Sequence, residues 1–390
     1  MKILHTVESY DPAIGGMQEV VKQISEQLVL LGHSVTVATS KDPARTSDII
    51  NGVKIKEFEV SGKYVEGLHG DIKSYQNFLL NSEFDIITNF AAQQWATDIM
   101  LPLLKDIKAK KVFVPTGFSA LHLPEYADYF EKMKDWMKLY DMNIFLSDTY
   151  RDIEFARKKA NVKNLIIIPN GASEQEFNRV ETFDIRKELG IAPDQFLILH
   201  VGSHTGCKGH KEAIEIFRHA ALKNATFIIV GNVYSKDCYS SCKFKELLLR
   251  ISPFNYLKNK HFLVRSLRRD QTVALYKAAD LFLFPSNIEC SPIVLFECMA
   301  SKTPFLTTDV GNAIEIIEWS HAGELLPTNK YWRGHSVADI TESARILEAV
   351  YKDKEKRTRM QESGYRAWTE KFSWEKIGQS YEAVYLKLLE

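Results

Sequence analysis

Residues 281–297 read LFLFPSNIECSPIVLFE, and the fold can be worked outward from them. The apolar run 281–284 has the length of a strand buried on both faces. Pro285-Ser286-Asn287 reads as a turn. Ser291 is a favoured N-cap, and Pro292 suits the first helical position, where a missing N–H costs nothing. A helix is therefore expected from Ile293 to Ala300. The order strand, polar loop, helix delivers a loop beyond the end of a sheet strand. The first N–H groups of that helix, those of Ile293 and Val294, and the positive end of its dipole suit an anion such as a phosphate. Glu289 lies on the loop with Cys290, and Glu297 lies on the helix with seven residues between the two glutamates. A carboxylate there can accept hydrogen bonds from a vicinal diol. On spacing alone, a solvated loop glutamate and an ordinary helical one fit equally well.

The same alternation extends in both directions. Residues 2–7 form an expected strand, 17–31 carry a helical apolar set (Val20, Val21, Ile24, Leu28, Leu31), and 34–39 form the next strand after Gly32. This β–α–β order predicts a parallel sheet covered on both faces. Residues 53–60 alternate and suggest an edge strand. Strands follow at 85–88, 111–114, 143–146 and 165–168. Pro169-Asn170-Gly171 and the polar stretch after it read as a turn and linker. A second series has strands at 196–201, 226–230, 261–264, 281–284 and 304–308. The expected fold class is α/β, two Rossmann-like doubly wound domains facing across a cleft. The expected domains are 1–178, completed by a C-terminal helix at 374–390, and 190–373. Ligands of such sheets bind beyond the C-terminal strand ends.

Composition agrees with a folded chain of this size. The 390 residues are 45% hydrophobic and 26% charged, which is globular composition rather than disorder. Lys+Arg and Asp+Glu each count 50, so no global basic field favours nucleic acid. No apolar run is long enough for a transmembrane helix. MKILHTVESY turns polar too soon for a secretion signal and reads as a first buried strand. The five cysteines are then expected as free thiols in a reducing cytoplasm.

The stretch 282–317, FLFPSNIECSPIVLFECMASKTPFLTTDVGNAIEII, resembles the nucleotide-binding region of the family-four retaining glycosyltransferases of glycosyl transferases group 1, which have the GT-B fold. Other pieces fall in that family's order. They are Ile14-Gly15-Gly16 after the first strand, 31–37 (LGHSVTV), Ile168-Pro169-Asn170-Gly171 with Phe177, Val201-Gly202 with Lys208-Gly209, and Phe372-Ser373-Trp374 before the final helix. Each piece alone is weak; the ordered set spans nearly the whole chain.

The resemblance implies a nucleoside diphosphate sugar donor, with UDP placed ahead of GDP, and no cofactor or metal. It makes Glu289 the contact to the transferred sugar, Glu297 the contact to the ribose hydroxyls, and Lys208 the lysine on the diphosphate. A lysine suits that place because it neutralises charge developing on the leaving phosphate. Glu289 and Lys208 become the catalytic candidates. The implied donor site also takes in Gly15, Gly16, Ser203, Arg265, Cys290, Ser291, Pro292, Ile293, Val294 and Glu297. Gly15 and Gly16 would let backbone N–H groups approach a phosphate or sugar. Neither a dinucleotide fingerprint nor a Walker A motif is present.

Three positions depart from the family pattern. Ser203-His204 stands where an arginine usually follows the glycine of the second-domain loop. Thr116-Gly117 stands where a His-Gly near the reacting sugar is usual; His122 is close by in sequence, where a surface role is the ordinary one. Arg265 stands where glycine is frequent, and either packs on the base, supplies the missing charge, or is solvated.

His200, His204, Cys207 and His210 form an apparent metal-ligand cluster without a familiar zinc spacing, and strand alternation sends His200 away from the loop. Cys238 and Cys242 read as helix-face or loop thiols. Residues 126–140 place Tyr126, Tyr129, Phe130, Met133, Trp136, Met137 and Tyr140 at helical spacing with lysines between them. That face either packs on the first domain or makes peripheral contact with a membrane beside a lipid-linked acceptor. The function expected is retaining transfer of a hexosyl or N-acetylhexosaminyl group to a glycan, lipid-linked, protein or small-molecule acceptor. The alternatives are a GT-B nucleotide-sugar epimerase and a non-catalytic nucleotide-sugar-binding protein.

Overall fold

A computed structural model describes residues 1–331 and 334–390, the side chain of Phe254 excepted. The chain divides into two compact units, residues 1–170 with 374–390 and residues 171–373. Residues 171–178, expected with the first domain, go with the second. There Ala172 N donates to Phe372 O at 3.0 Å, Trp368 Nε1 donates to Ala172 O at 2.9 Å, and Phe177 is buried in the second unit's core.

The first unit is built on an eight-stranded sheet in the order Leu165–Ile167, Met142–Phe145, Lys110–Val114, Ile86–Phe90, Lys2–Thr6, Ser34–Ser40, Val53–Phe58, Ile49–Ile50. Every pair is parallel except the last, in which Ile49–Ile50 folds back on Val53–Phe58. Val53–Phe58 is therefore covered at the edge by a short strand that its alternating pattern does not announce. The helix Gly16–Leu30 buries Val20, Val21, Ile24 and Leu28 of the expected apolar set, whereas Leu31 lies past its end as the C-cap and is exposed. The final helix Trp374–Leu389 lies against it, so close that a Cβ on Gly378 would come 2.6 Å from Gln27 Cβ.

The aromatic helix Ala127–Leu139 turns Tyr129, Phe130, Met133 and Met137 into the first unit's core, and Trp136 packs edge-on against Tyr64 and Tyr129. The apolar face of this helix is thus covered by the unit itself. Among the described residues, no helix is long and apolar enough to cross a membrane.

The second unit has a six-stranded parallel sheet in the order Lys260–Arg265, Ala225–Val230, Phe196–Val201, Leu281–Phe284, Phe305–Thr307, Gly323–Leu325. Its four inner strands, Ala225–Val230, Phe196–Val201, Leu281–Phe284 and Phe305–Thr307, are apolar at nearly every position because both faces are buried, while the edge strand Lys260–Arg265 alternates. Leu197, Leu199, Phe282 and Phe284 enter one core cluster, and Phe196, Ile198, Leu281 and Leu283 enter the other. All five cysteines, all in this unit, are free thiols.

Candidate functional site

In the second unit the chain builds outward from Phe196–Val201 through Ala225–Val230 to Lys260–Arg265. It then returns to place Leu281–Phe284 on the other side of the first strand. At such a reversal the flanking connections run to opposite sides and leave a crevice at the strand ends. The loops leaving these two central strands are 202–209 and 285–292, the ones that hold Lys208 and Glu289.

The two loops are fastened to each other. Gly209 has φ +70°, and a Cβ there would lie 1.8 Å from Pro285 O, so only glycine lets the chain pass. Asn287 N donates to Cys207 O at 3.0 Å. Lys208 Nζ reaches Glu289 Oε1 at 2.7 Å, and Ser286 Oγ donates to the same oxygen at 2.8 Å. Lys208 is 28% and Glu289 11% exposed at the side chain, so solvent screens this pair less than a surface one. Ser286 lacked a sequence signal beyond its place in a Pro-Ser turn.

The helix after the loop spans Ile293–Ala300, and its N-cap is Pro292, in extended geometry, with no side-chain cap. This corrects the expectation that Ser291 caps it with Pro292 at the first helical position. The reason lies in what holds the loop. Asn312 N donates to Cys290 O at 2.9 Å, and Gly311, at φ +56°, sits so close that a Cβ would come 2.3 Å from that oxygen. The turn 311–312 fixes the backbone before the helix, and the first helical bond is the short one from Leu295 N to Pro292 O, 3.2 Å.

Glu297 is 5% exposed at the side chain and pairs with Arg269 Nη1 at 2.6 Å. Arg269 opens the helix Arg269–Ala278, and its Nε and Nη2 also reach Glu176 at 3.0 and 2.6 Å. Burial, with Glu297 beside it, pushes the Tyr276 hydroxyl well above its ordinary value. Sequence reasoning missed Arg269; its only signal is the Arg268-Arg269 pair at a helix start.

The other candidates are distributed as follows. Ser203 lies on the loop with Lys208, which folds back so that a Cβ on Gly202 would touch Lys208 Cβ at 3.3 Å. Arg265 ends the edge strand, three strand positions from Leu281–Phe284 or roughly 14 Å of sheet. Its guanidinium donates to Glu246 and Val264 O, both at 2.8 Å.

Gly15, Gly16, Thr116, Gly117 and His122 belong to the first unit. Gly15 is the extended N-cap of the helix that begins at Gly16. Thr116, Gly117 and Phe118 all have positive φ, at 56°, 103° and 44°, which for threonine and phenylalanine is strained. Gly117 N donates to Asp152 Oδ2 at 2.8 Å, and Arg151 Nε donates to Gly117 O at 2.7 Å. Burial pushes the Asp152 carboxyl up to about 6. His122 is exposed on the turn that follows.

The histidine cluster comes together differently from its sequence order. His200 turns into the sheet, with Nδ1 donating to Leu283 O at 2.8 Å, and burial pushes it down to about 4. Cys207 Sγ lies beside Thr205 Oγ1 at 3.2 Å. His204 and His210 instead meet Cys238 and Cys242, four donor atoms within 4.8 Å of one another. Burial holds both of these imidazoles below their ordinary value.

Comparison with known proteins agrees with this architecture. Residues 181–367 match the family model "Glycosyl transferases group 1". An uncharacterized glycosyltransferase of Methanocaldococcus jannaschii is 25% identical over 340 residues, covering 82% of this chain and 83% of that one. N-acetyl-alpha-D-glucosaminyl L-malate synthase of Bacillus anthracis is 26% identical over 231 residues; the match spans 58% of this chain and only about half, 55%, of that protein. The crystal structure of Anabaena HepE in complex with UDP superposes with a TM-score of 0.75 at 18% identity, covering 99% of this chain and 100% of that one. The parallel strand pairing in each unit and these similarities together show the GT-B fold, and residues 181–367, just under half of the chain, carry the similarity to glycosyl transferases group 1.

Proposed function

We propose that this chain transfers a hexosyl or N-acetylhexosaminyl group from a nucleoside diphosphate sugar to an acceptor hydroxyl, with retention of anomeric configuration. The observation that carries the proposal is the Lys208–Glu289 pair, 2.7 Å apart at the switch point of the second sheet. Lysine has three N–H donors, so Lys208 can keep Glu289 and still turn toward a diphosphate. Glu289 Oε1 is taken by Lys208 and Ser286, leaving Oε2 to accept from a sugar hydroxyl. Glu297, one helix turn beyond the first N–H groups, would exchange Arg269 for a ribose diol. Uridine is favoured because Anabaena HepE, of like fold, was solved with UDP.

In the reaction, the bond between the anomeric carbon and the diphosphate oxygen breaks, and its electron pair stays on the diphosphate. Lys208 and the helix N–H groups of Ile293 and Val294 stabilise that charge. The acceptor oxygen bonds to the same face of the anomeric carbon, and its proton passes to the departing phosphate oxygen. Glu289 serves as an orienting acceptor rather than a nucleophile, since its charge is already held by Lys208.

Thermal-shift titration with UDP, GDP, ADP and their sugars tests the donor. A ligand that binds the folded chain raises the melting temperature by mass action. A rise confined to uridine nucleotides is expected; no rise with any of them overturns the donor site. Proton NMR of the product's anomeric centre then distinguishes retention from inversion.

A further inference from the structure

We propose that His204, His210, Cys238 and Cys242 form a tetrahedral zinc site that braces the loop carrying Lys208 against the neighbouring helix. The four ligand atoms lie within 4.8 Å of one another. Cys238 Sγ is 3.4 Å from His210 Nδ1 and 3.6 Å from His204 Nδ1. A tetrahedral zinc with sulfur at about 2.3 Å and nitrogen at about 2.0 Å separates such ligands by about 3.5 Å. The two Cys238–histidine separations thus match edges of the required tetrahedron, and the remaining ones lie within 4.8 Å.

Local structure explains the convergence. Cys238 and Cys242 are one turn apart on the helix Lys236–Arg250, on the same face. His204 is tied to the entry of that helix, its N–H donating to Asn232 O at 2.8 Å and its carbonyl accepting from Ser235 N at 2.6 Å. His210 opens the next helix, His210–His219. Its Nε2–H donates to Gly202 O at 3.1 Å, which fixes the tautomer and leaves the Nδ1 lone pair facing Cys238. His204 is fully buried, with Nδ1 the ring nitrogen turned toward Cys238. The spacings are H-x5-H and C-x3-C, both within the ranges of structural zinc sites, although the histidine pair comes first here.

The chemistry also fits. On binding, the two thiols lose their protons to solvent and form two Zn–S bonds, while two neutral imidazoles donate lone pairs. Two thiolates cancel the dication, so the complex is neutral and suits burial. A nitrogen and sulfur set of this kind selects zinc over magnesium or calcium. Entry is open through a cavity of about 290 Å³ lined by Gly206, His210, Cys238 and Cys242 among others. His204 and His210 flank Lys208, so the metal would restrict the loop between them.

The site stands independently of the donor reading, and metal content tests it without any sugar transfer. The full chain, expressed with zinc and dialysed against metal-free buffer, is expected to retain about one zinc per chain by mass spectrometry. Cys238→Ser/Cys242→Ser is expected to drop to background, while Cys207→Ser keeps its zinc. Because the double variant can fail to fold, wild-type protein is also reconstituted with cobalt. Intense visible d–d absorption with a thiolate-to-cobalt charge-transfer band is expected. Zinc at background in the wild type, or a weak six-coordinate cobalt spectrum without the charge-transfer band, overturns the proposal. Unchanged zinc in a folded double variant does so too.

Discussion

Lys208 Nζ lies 2.7 Å from Glu289 Oε1, although 81 positions separate the two residues in the chain. The pair joins the two loops that leave the central strands Phe196–Val201 and Leu281–Phe284 of the second sheet. Each partner partly desolvates the other, so removing either leaves a charge in a shielded place. Lys208→Ala and Glu289→Ala are each expected to lower transfer by about 100- to 1,000-fold, with melting temperature changed by only a few degrees. The double variant should lose little more than either single one, because the residues act as a unit. Wild-type rates in both single variants would remove them from the site.

Arg269 and Glu297 form a second pair, with the carboxylate 5% and the guanidinium 43% exposed. Arg269→Ala leaves Glu297 buried without this partner. Discounted for the exposed arginine, the expected loss is about 1–3 kcal/mol in urea unfolding. Glu297→Gln removes the charge but keeps an acceptor, and should weaken donor binding more than it lowers turnover of bound donor. A variant at Glu297 with an unaltered KM would argue against a ribose contact.

Gly206 and Gly209 separate conformational strain from contact. Both have positive φ, at 92° and 70°. A Cβ on Gly206 meets nothing within 4 Å, whereas one on Gly209 would collide with Pro285 O at 1.8 Å. Gly206→Ala should therefore cost only about 1 kcal/mol of backbone strain. Gly209→Ala should cost more and also lower transfer, because the loops bearing Lys208 and Glu289 must move apart. Equal stability losses for the two variants would contradict this account.

Two buried groups in the first unit give opposite pH dependences. His5 has Nδ1 2.8 Å from Ser25 Oγ and Nε2 3.2 Å from Tyr385 OH, and burial pushes it down to about 3. Its neutral ring contributes stability that is present above about 6.5 and is lost as pH falls toward 3. His5→Gln should therefore lose less stability than wild type on acidification from pH 7 to 4, by up to about 3 kcal/mol. Asp152, pushed up to about 6, runs the other way: its contribution is complete below about 3.9 and is lost as pH rises through 6. Asp152→Asn should flatten that fall in stability with rising pH, as measured by urea midpoints from pH 4 to 7.

Much of the fold was legible because local pattern and tertiary environment agree. The strands Phe196–Val201 and Leu281–Phe284 fall where the apolar runs predict them, since a strand buried on both faces must be apolar at nearly every position. The hairpin Val60–Lys63 with Gly67–Gly70 was not anticipated, because short polar strands carry little periodic signal. Ser291 failed as a cap because the loop is fixed from a turn twenty residues later, beyond any local window.

The site divides in the same way. The resemblance to an ordered set of family motifs linked Lys208, Glu289 and Glu297, which spacing alone left open. The sequence also supplied His204, His210, Cys238 and Cys242, but grouped the histidines with His200 and Cys207, their neighbours in the chain. Only tertiary structure decided who meets whom. Strand pairing sends His200 into the sheet, where it bonds Leu283, and a helix from the next β–α unit brings the two cysteines to the remaining histidines. Sequence order sets which groups are available. Their distances are set by parallel pairing of strands far apart in the chain and by close approaches such as Gly209 on Pro285, and no local window contains those contacts.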